Sequence, residues 1–191
     1  MLIFFSCLVG LLGALLIYAS TKPDACHFSR SVHISATPEK IFPLIDNPRA
    51  MNEWNPFVKS DPNIKLTYSG PSNGVGATND FEGDSRVGAG RAEIVESAPP
   101  LSVIVALRMD RPMKCQNRVE FTIAPRDGGA DVTWAMTGKQ SFLGKLFSVF
   151  VNTEKMVGDA FESGLADLKA RAEAYSSGKS KFVRRGHGPG R

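Results

Sequence analysis

The sequence predicts an α+β domain in which a curved, seven-stranded antiparallel sheet wraps one long C-terminal helix, preceded by an apolar N-terminal helix that spans a bilayer. Three observations carry this reading. Apolar residues alternate with period two in one segment near Phe28 and in six more between Ile64 and Thr137. They then recur at helical spacing from Phe142 to Tyr175. Finally, no charged residue occurs before Lys22.

The N-terminal run Leu2 to Tyr18, LIFFSCLVGLLGALLIY, contains only Ser6, Gly10 and Gly13 as non-hydrophobic residues. A helix over Leu2 to Thr21 reaches about 30 Å, the thickness of a bilayer core. The alternative is a cleaved signal peptide, but no Lys or Arg forms an n-region, and Ile17 and Ala19 make a poor small-x-small cleavage site. Residues 1–21 are therefore expected to be a single-pass anchor, with 22–26 as linker, 27–175 as the folded domain and 176–191 as a disordered basic tail. Lys22 and Arg30 follow the run, so the positive-inside tendency leans toward a cytoplasmic domain.

The segment His27 to Ala36 alternates, with Phe28, Val32 and Ile34 on one face, and reads as the first strand. The period then changes. Thr37 is a good N-cap, Pro38 suits the first helical position, and Ile41, Phe42, Leu44 and Ile45 form an apolar stripe, so a short helix is expected up to Asn47-Pro48. The aromatic stretch Met51 to Phe57 fits neither period and reads as a second helical turn or an ordered loop. Six strands follow: Ile64 to Tyr68, Gly76 to Glu82, Val87 to Glu96, Leu101 to Asp110, Cys115 to Ala124, and Ala130 to Thr137. Glycine- and proline-rich turns separate them, as in an antiparallel meander. In the final helix Phe147, Phe150, Val157, Phe161, Leu165 and Leu168 form a stripe that must be buried. Gly158 and Gly164 each cost about 1 kcal/mol of helix propensity, tolerable where the helix backbone closely approaches the sheet.

The chain has 191 residues and a formal charge of +4. Five basic residues (Lys179, Lys181, Arg184, Arg185 and Arg191) lie beyond Ser176 with no acid among them, which leaves −1 for everything before. A nearly neutral body argues against a nucleic-acid partner, since such domains carry their basic residues on the folded surface. Three cysteines, Cys7, Cys26 and Cys115, build neither a disulfide framework nor a thiolate-rich zinc site. No cofactor is expected.

Several short segments, in this order and spacing, resemble the START/Bet v1-like (SRPBCC) superfamily, in its bacterial polyketide cyclase/dehydrase branch. They are Ser35-Ala36-Thr37-Pro38-Glu39-Lys40-Ile41-Phe42, Glu53-Trp54-Asn55-Pro56-Phe57, Tyr68-Ser69-Gly70-Pro71 with Gly74-Val75-Gly76-Ala77, Gly88-Ala89-Gly90-Arg91 before Glu93-Ile94, and Val119-Glu120-Phe121 with Val132-Thr133-Trp134. The resemblance covers Phe28 to Ala172. It implies a helix-grip fold whose internal cavity takes lipids, polyketides, sterols or other apolar molecules. On that implication the ligand-binding candidates are Trp54 and Phe57 from the aromatic stretch, Asn79 and Phe81 from the third strand, and Leu107 and Met109 from the fifth. Asn117 and Phe121 from the sixth strand, Trp134 and Met136 from the seventh, and Phe161 from the helix complete the set. Relatives often carry bulkier aromatics where this chain has Met51, Phe57, Asn79 and Phe81, so the cavity shape is not carried over.

Strand parity places Asn79 with Phe81, and Asn117 with Val119 and Phe121, on the apolar face. A buried amide must find a partner or cost a few kcal/mol, and the partner is either backbone, buried water or a ligand's polar group. The carboxylates Asp80, Glu82, Glu93, Glu96 and Glu120 mostly alternate with that face and are expected to meet water. The only imidazoles are His27, His33 and His187, and no Gly-x-Ser-x-Gly elbow exists, so no nucleophile and base are visible together. Sequence thus favours a membrane-anchored module that binds a hydrophobic or amphipathic small molecule. A cyclase- or hydrolase-type enzyme using the same cavity and a protein-binding adaptor remain as alternatives.

Overall fold

The computed structural model describes residues 10, 13–18, 20–139 and 142–184. Seven strands form one antiparallel sheet: β1 Ala25–Ile34, β2 Lys65–Ser69, β3 Thr78–Glu82, β4 Ala89–Ala98, β5 Ser102–Arg111, β6 Cys115–Arg126 and β7 Gly129–Lys139. Their order, β1-β7-β6-β5-β4-β3-β2, is a meander whose first strand pairs with the last. Register agrees with the alternation read from sequence. Val105 opposes Val119, Phe121 opposes Trp134, and Val32 opposes Val132, so one face of every central strand is apolar. A bulge between Ile94 and Glu96 resets the parity of β4.

Three short helices connect β1 to β2: α1 Pro38–Ile45, α2 Pro48–Asn52 and α3 Pro56–Lys59. Each begins with proline, whose missing N–H costs nothing at a helix start. Asn47 and Asn55 cap the second and third: Asn47 Oδ1 accepts from Arg49 N at 2.9 Å, and Asn55 Oδ1 from Phe57 N at 3.0 Å. The aromatic stretch that fitted neither period is therefore two capped helical turns.

The predicted long helix is divided. α4 spans Phe142–Phe150 and α5 spans Thr153–Arg184, with Asn152 Oδ1 capping the second by accepting from Lys155 N at 3.0 Å. α5 crosses the concave face of the sheet and buries Phe161, Leu165, Leu168 and Ala172. It also runs past Tyr175 to Arg184, into the segment expected as a basic tail. Once the buried stripe has nucleated the helix, each further residue adds one hydrogen bond at little cost. Residues 185–191 of the expected tail lie outside the described residues. Most of the expected anchor over residues 1–21 does too, and among the described residues no helix is long and apolar enough to cross a membrane.

Close approach of α5 to the sheet depends on Gly164. A Cβ there would lie 2.8 Å from both Pro56 Cδ and Trp134 Cζ3. Gly164→Ala is expected to lower stability in urea denaturation by about 1 kcal/mol net, because overpacking of about 1–3 kcal/mol exceeds the roughly 1 kcal/mol gained in helix propensity. A more stable variant would show that the helix has room to move.

Candidate functional site

Between the concave face and α5 lies a cavity of about 270 Å³, near the lower end of ligand-pocket sizes. Its sheet wall comes from the inward-facing rows of β3 to β7. β3 supplies Asn79 and Phe81, β5 supplies Leu107 and Met109, β6 supplies Asn117 and Phe121, and β7 supplies Trp134 and Met136. Phe57 from α3 and Phe161 from α5 close the other side. Ten of the eleven residues singled out from sequence thus line one space.

Trp54 is the exception. It is fully buried behind the wall, where Nε1 donates to Leu44 O at 2.9 Å and the ring packs edge-on against Phe121 and Trp134, with centroids 5.9 and 5.6 Å apart. It supports the wall without reaching the cavity. Trp134 is itself stacked on Phe161 at 4.1 Å and tilted against Phe121 at 5.2 Å. These contacts fix the ring planes, and with them the direction of the Trp134 N–H.

Among the described residues, the wall holds two buried polar atoms with no protein partner. Asn79 and Trp134 are each 5% exposed, and Asn79 Oδ1 and Trp134 Nε1 are buried without a hydrogen bond. One is an acceptor and the other a donor. Asn117 is held differently: Nδ2 contacts Cys115 Sγ at 3.7 Å, and the amide oxygen occupies the place a side chain on Gly138 would take, only 1.9 Å from a Cβ built there. Glycine at 138 makes room for this amide beside the cavity.

Sequence reasoning missed Asn52, Asn55 and Arg86, which also line the space. Asn52 Nδ2 donates to Tyr68 Oη at 3.1 Å. Arg86 sits in the β3–β4 connection and is paired with Asp84 at 2.6 Å, the contact that holds the Asp84 carboxyl below its usual range and raises the guanidinium. That connection is pinned by buried Asp61, whose Oδ2 accepts from Asp84 N at 2.8 Å. Neither feature has a periodic signature, because each depends on contacts between distant segments.

Among the described residues, no carboxylate, imidazole or thiol lines the cavity, and Arg86 is its one ionisable residue. Three of the strand acids engage arginines instead. Asp80 accepts from Arg91 at 2.7 and 2.8 Å, which lowers its carboxyl pKa, while Glu82 pairs with Arg111 and Glu96 with Arg118, both at 3.1 Å. The Cys26 thiol is raised by burial and donates to Gly138 O at 3.5 Å, which does not favour a reactive thiolate.

Comparison with known proteins identifies this architecture. Solved structures similar to the chain include protein CV1439 from Chromobacterium violaceum, at TM-score 0.56 and 18% identity over 80% of this chain and 99% of that one. The di-domain ARO/CYC StfQ from the steffimycin biosynthetic pathway matches at TM-score 0.58 and 11% identity, over 80% of this chain and 52% of its own. Ara h 8.0201 matches at TM-score 0.53 and 10% identity, over 78% of this chain and 99% of its own. These likenesses establish the Bet v1-like fold and nothing finer. No curated protein sequence matches the chain. The sequence profile described as polyketide cyclase/dehydrase and lipid transport matches residues 25–173, the whole sheet and most of α5, and the chain therefore belongs to that family, the SRPBCC-type branch its sequence resembled.

Proposed function

We propose that this protein is a membrane-anchored module that binds one hydrophobic or amphipathic small molecule, lipid- or polyketide-like, in the cavity between sheet and helix. The carrying observation is the pair of unpartnered atoms, Asn79 Oδ1 and Trp134 Nε1, in a mostly apolar wall. A buried polar atom left unpaired costs about 1–3 kcal/mol, so a ligand that supplies a donor to one and an acceptor to the other recovers that cost on binding. A hydroxyl, or a hydroxyl and a carbonyl, on an apolar frame has this chemistry. A cyclase-type reaction in the same space is less well supported, because the wall offers amides and an indole but no group to exchange a proton near neutrality. Anchoring is supported by the uncharged run Leu2 to Tyr18 and the cytoplasmic side by Lys22 and Arg30 after it.

Native mass spectrometry of the full-length protein, extracted gently from membranes, tests the reading. The expected spectrum contains one adduct of lipid-like mass per chain, depleted in the Asn79→Leu variant. Bare protein alone, which also fails to take up an added fatty acid, would contradict it.

A further inference from the structure

The cavity has a closed end and an open end, and burial of its lining distinguishes them. Ala77 is 0% exposed, and Ile94 and Phe121 are 1% exposed, whereas Phe57 is 40% exposed and the Arg86 side chain 72%. Strand register places the open end. Met109 pairs with Cys115 next to the β5–β6 turn, Glu82 pairs with Ala89 next to the β3–β4 connection that carries Arg86, and Asn117 pairs with Gly138. Gly138 in turn pairs with Cys26, and Lys139 with Ala25, the first residue of β1. The polypeptide therefore enters the domain at the cavity mouth.

Two further features lie there. Helix α4, FLGKLFSVF, is apolar at six of its nine positions, and its one charged residue, Lys145, is buried and ion-paired with Asp24 of the linker. Phe142 at its start is 47% exposed, and Met156 near the start of α5 is 55% exposed. At the β5–β6 turn, Lys114 is exposed and has no ion pair among the described residues.

We infer that this end of the domain is a membrane-docking surface, with α4 and the β5–β6 turn resting on a bilayer that contains anionic lipid, so that ligand passes between the bilayer and the cavity mouth. The inference rests on the anchor reading above. Reach makes it specific. The three linker residues Lys22 to Asp24 that precede β1 extend at most about 11 Å, while a domain of this size is about 40 Å across, so an anchored chain cannot turn its mouth to the far side. An apolar helix without free charge lies at the level of the headgroups, and a free lysine complements anionic lipid.

The test places a bimane label, one site at a time, on the full chain in a Cys7→Ala, Cys26→Ala, Cys115→Ala background. The protein is reconstituted in phosphatidylcholine/phosphatidylglycerol vesicles with brominated acyl chains. Labels on Phe142→Cys and Lys114→Cys are expected to lose about half their emission, as for groups at the headgroup and acyl boundary. A label on Asp127→Cys, in the β6–β7 turn at the opposite end, should lose none. Quenching at Leu8→Cys with none at Phe142→Cys or Lys114→Cys would overturn the docking surface while leaving the anchor standing. Absence of quenching at Leu8→Cys as well would overturn the anchor, and the docking inference with it.

Discussion

Trp54→Ala is expected to destabilise the domain by about 3–5 kcal/mol, whereas Met109→Ala costs less than half as much. Trp54 is fully buried: it fills the layer behind Phe121 and Trp134, and its indole N–H satisfies the Leu44 carbonyl. Truncation removes the packing and leaves that part-buried carbonyl without its donor. Met109 lines the cavity and is only partly buried, so part of its surface already lacks a packing partner. Urea denaturation of the two variants measures the contrast. Equal losses would mean that the space beside Met109 is filled by protein and that the cavity is not a functional void.

Asn79→Leu is expected to separate binding from folding. The substitution removes the unpartnered Oδ1 with the same number of side-chain heavy atoms, and the larger methyl groups have the cavity to enter, so the free protein should be as stable as wild type or more so. A ligand that donates to this oxygen loses that bond, and affinity should fall at least about tenfold, equivalent to about 1.4 kcal/mol. Thermal denaturation and equilibrium binding of the same preparation report the two effects. A variant that unfolds would assign Asn79 a structural partner in the folded chain instead.

The strands were legible because one face of each is buried, and burial imposes a period of two that turn glycines and prolines interrupt. Asn79 was found for the same reason, since its parity with Phe81 is a consequence of the pleat. Trp134 is legible as a cavity candidate, but its unpaired N–H is not, because whether an indole finds an acceptor depends on the ring planes set by Phe121 and Phe161. Composition gave no sign that α5 extends over residues 176–184: Ser and Gly are poor helix formers, yet they continue a helix that Leu165, Leu168 and Ala172 have already anchored. The break between α4 and α5 was invisible to periodicity, because Asn152 acts as a cap without disturbing the apolar spacing on either side. Trp54 was assigned to the wall because an aromatic in a conspicuous motif has the same appearance whether it faces the cavity or supports it.

Titration of the full-length protein with cis-parinaric acid tests the central claim most directly, because Trp134 stands in the cavity wall and its emission overlaps the absorption of that probe. The account predicts saturable quenching of tryptophan emission at one probe per chain, with weaker binding in Asn79→Leu. Quenching that rises without saturation, and equally in wild type and variant, would contradict it.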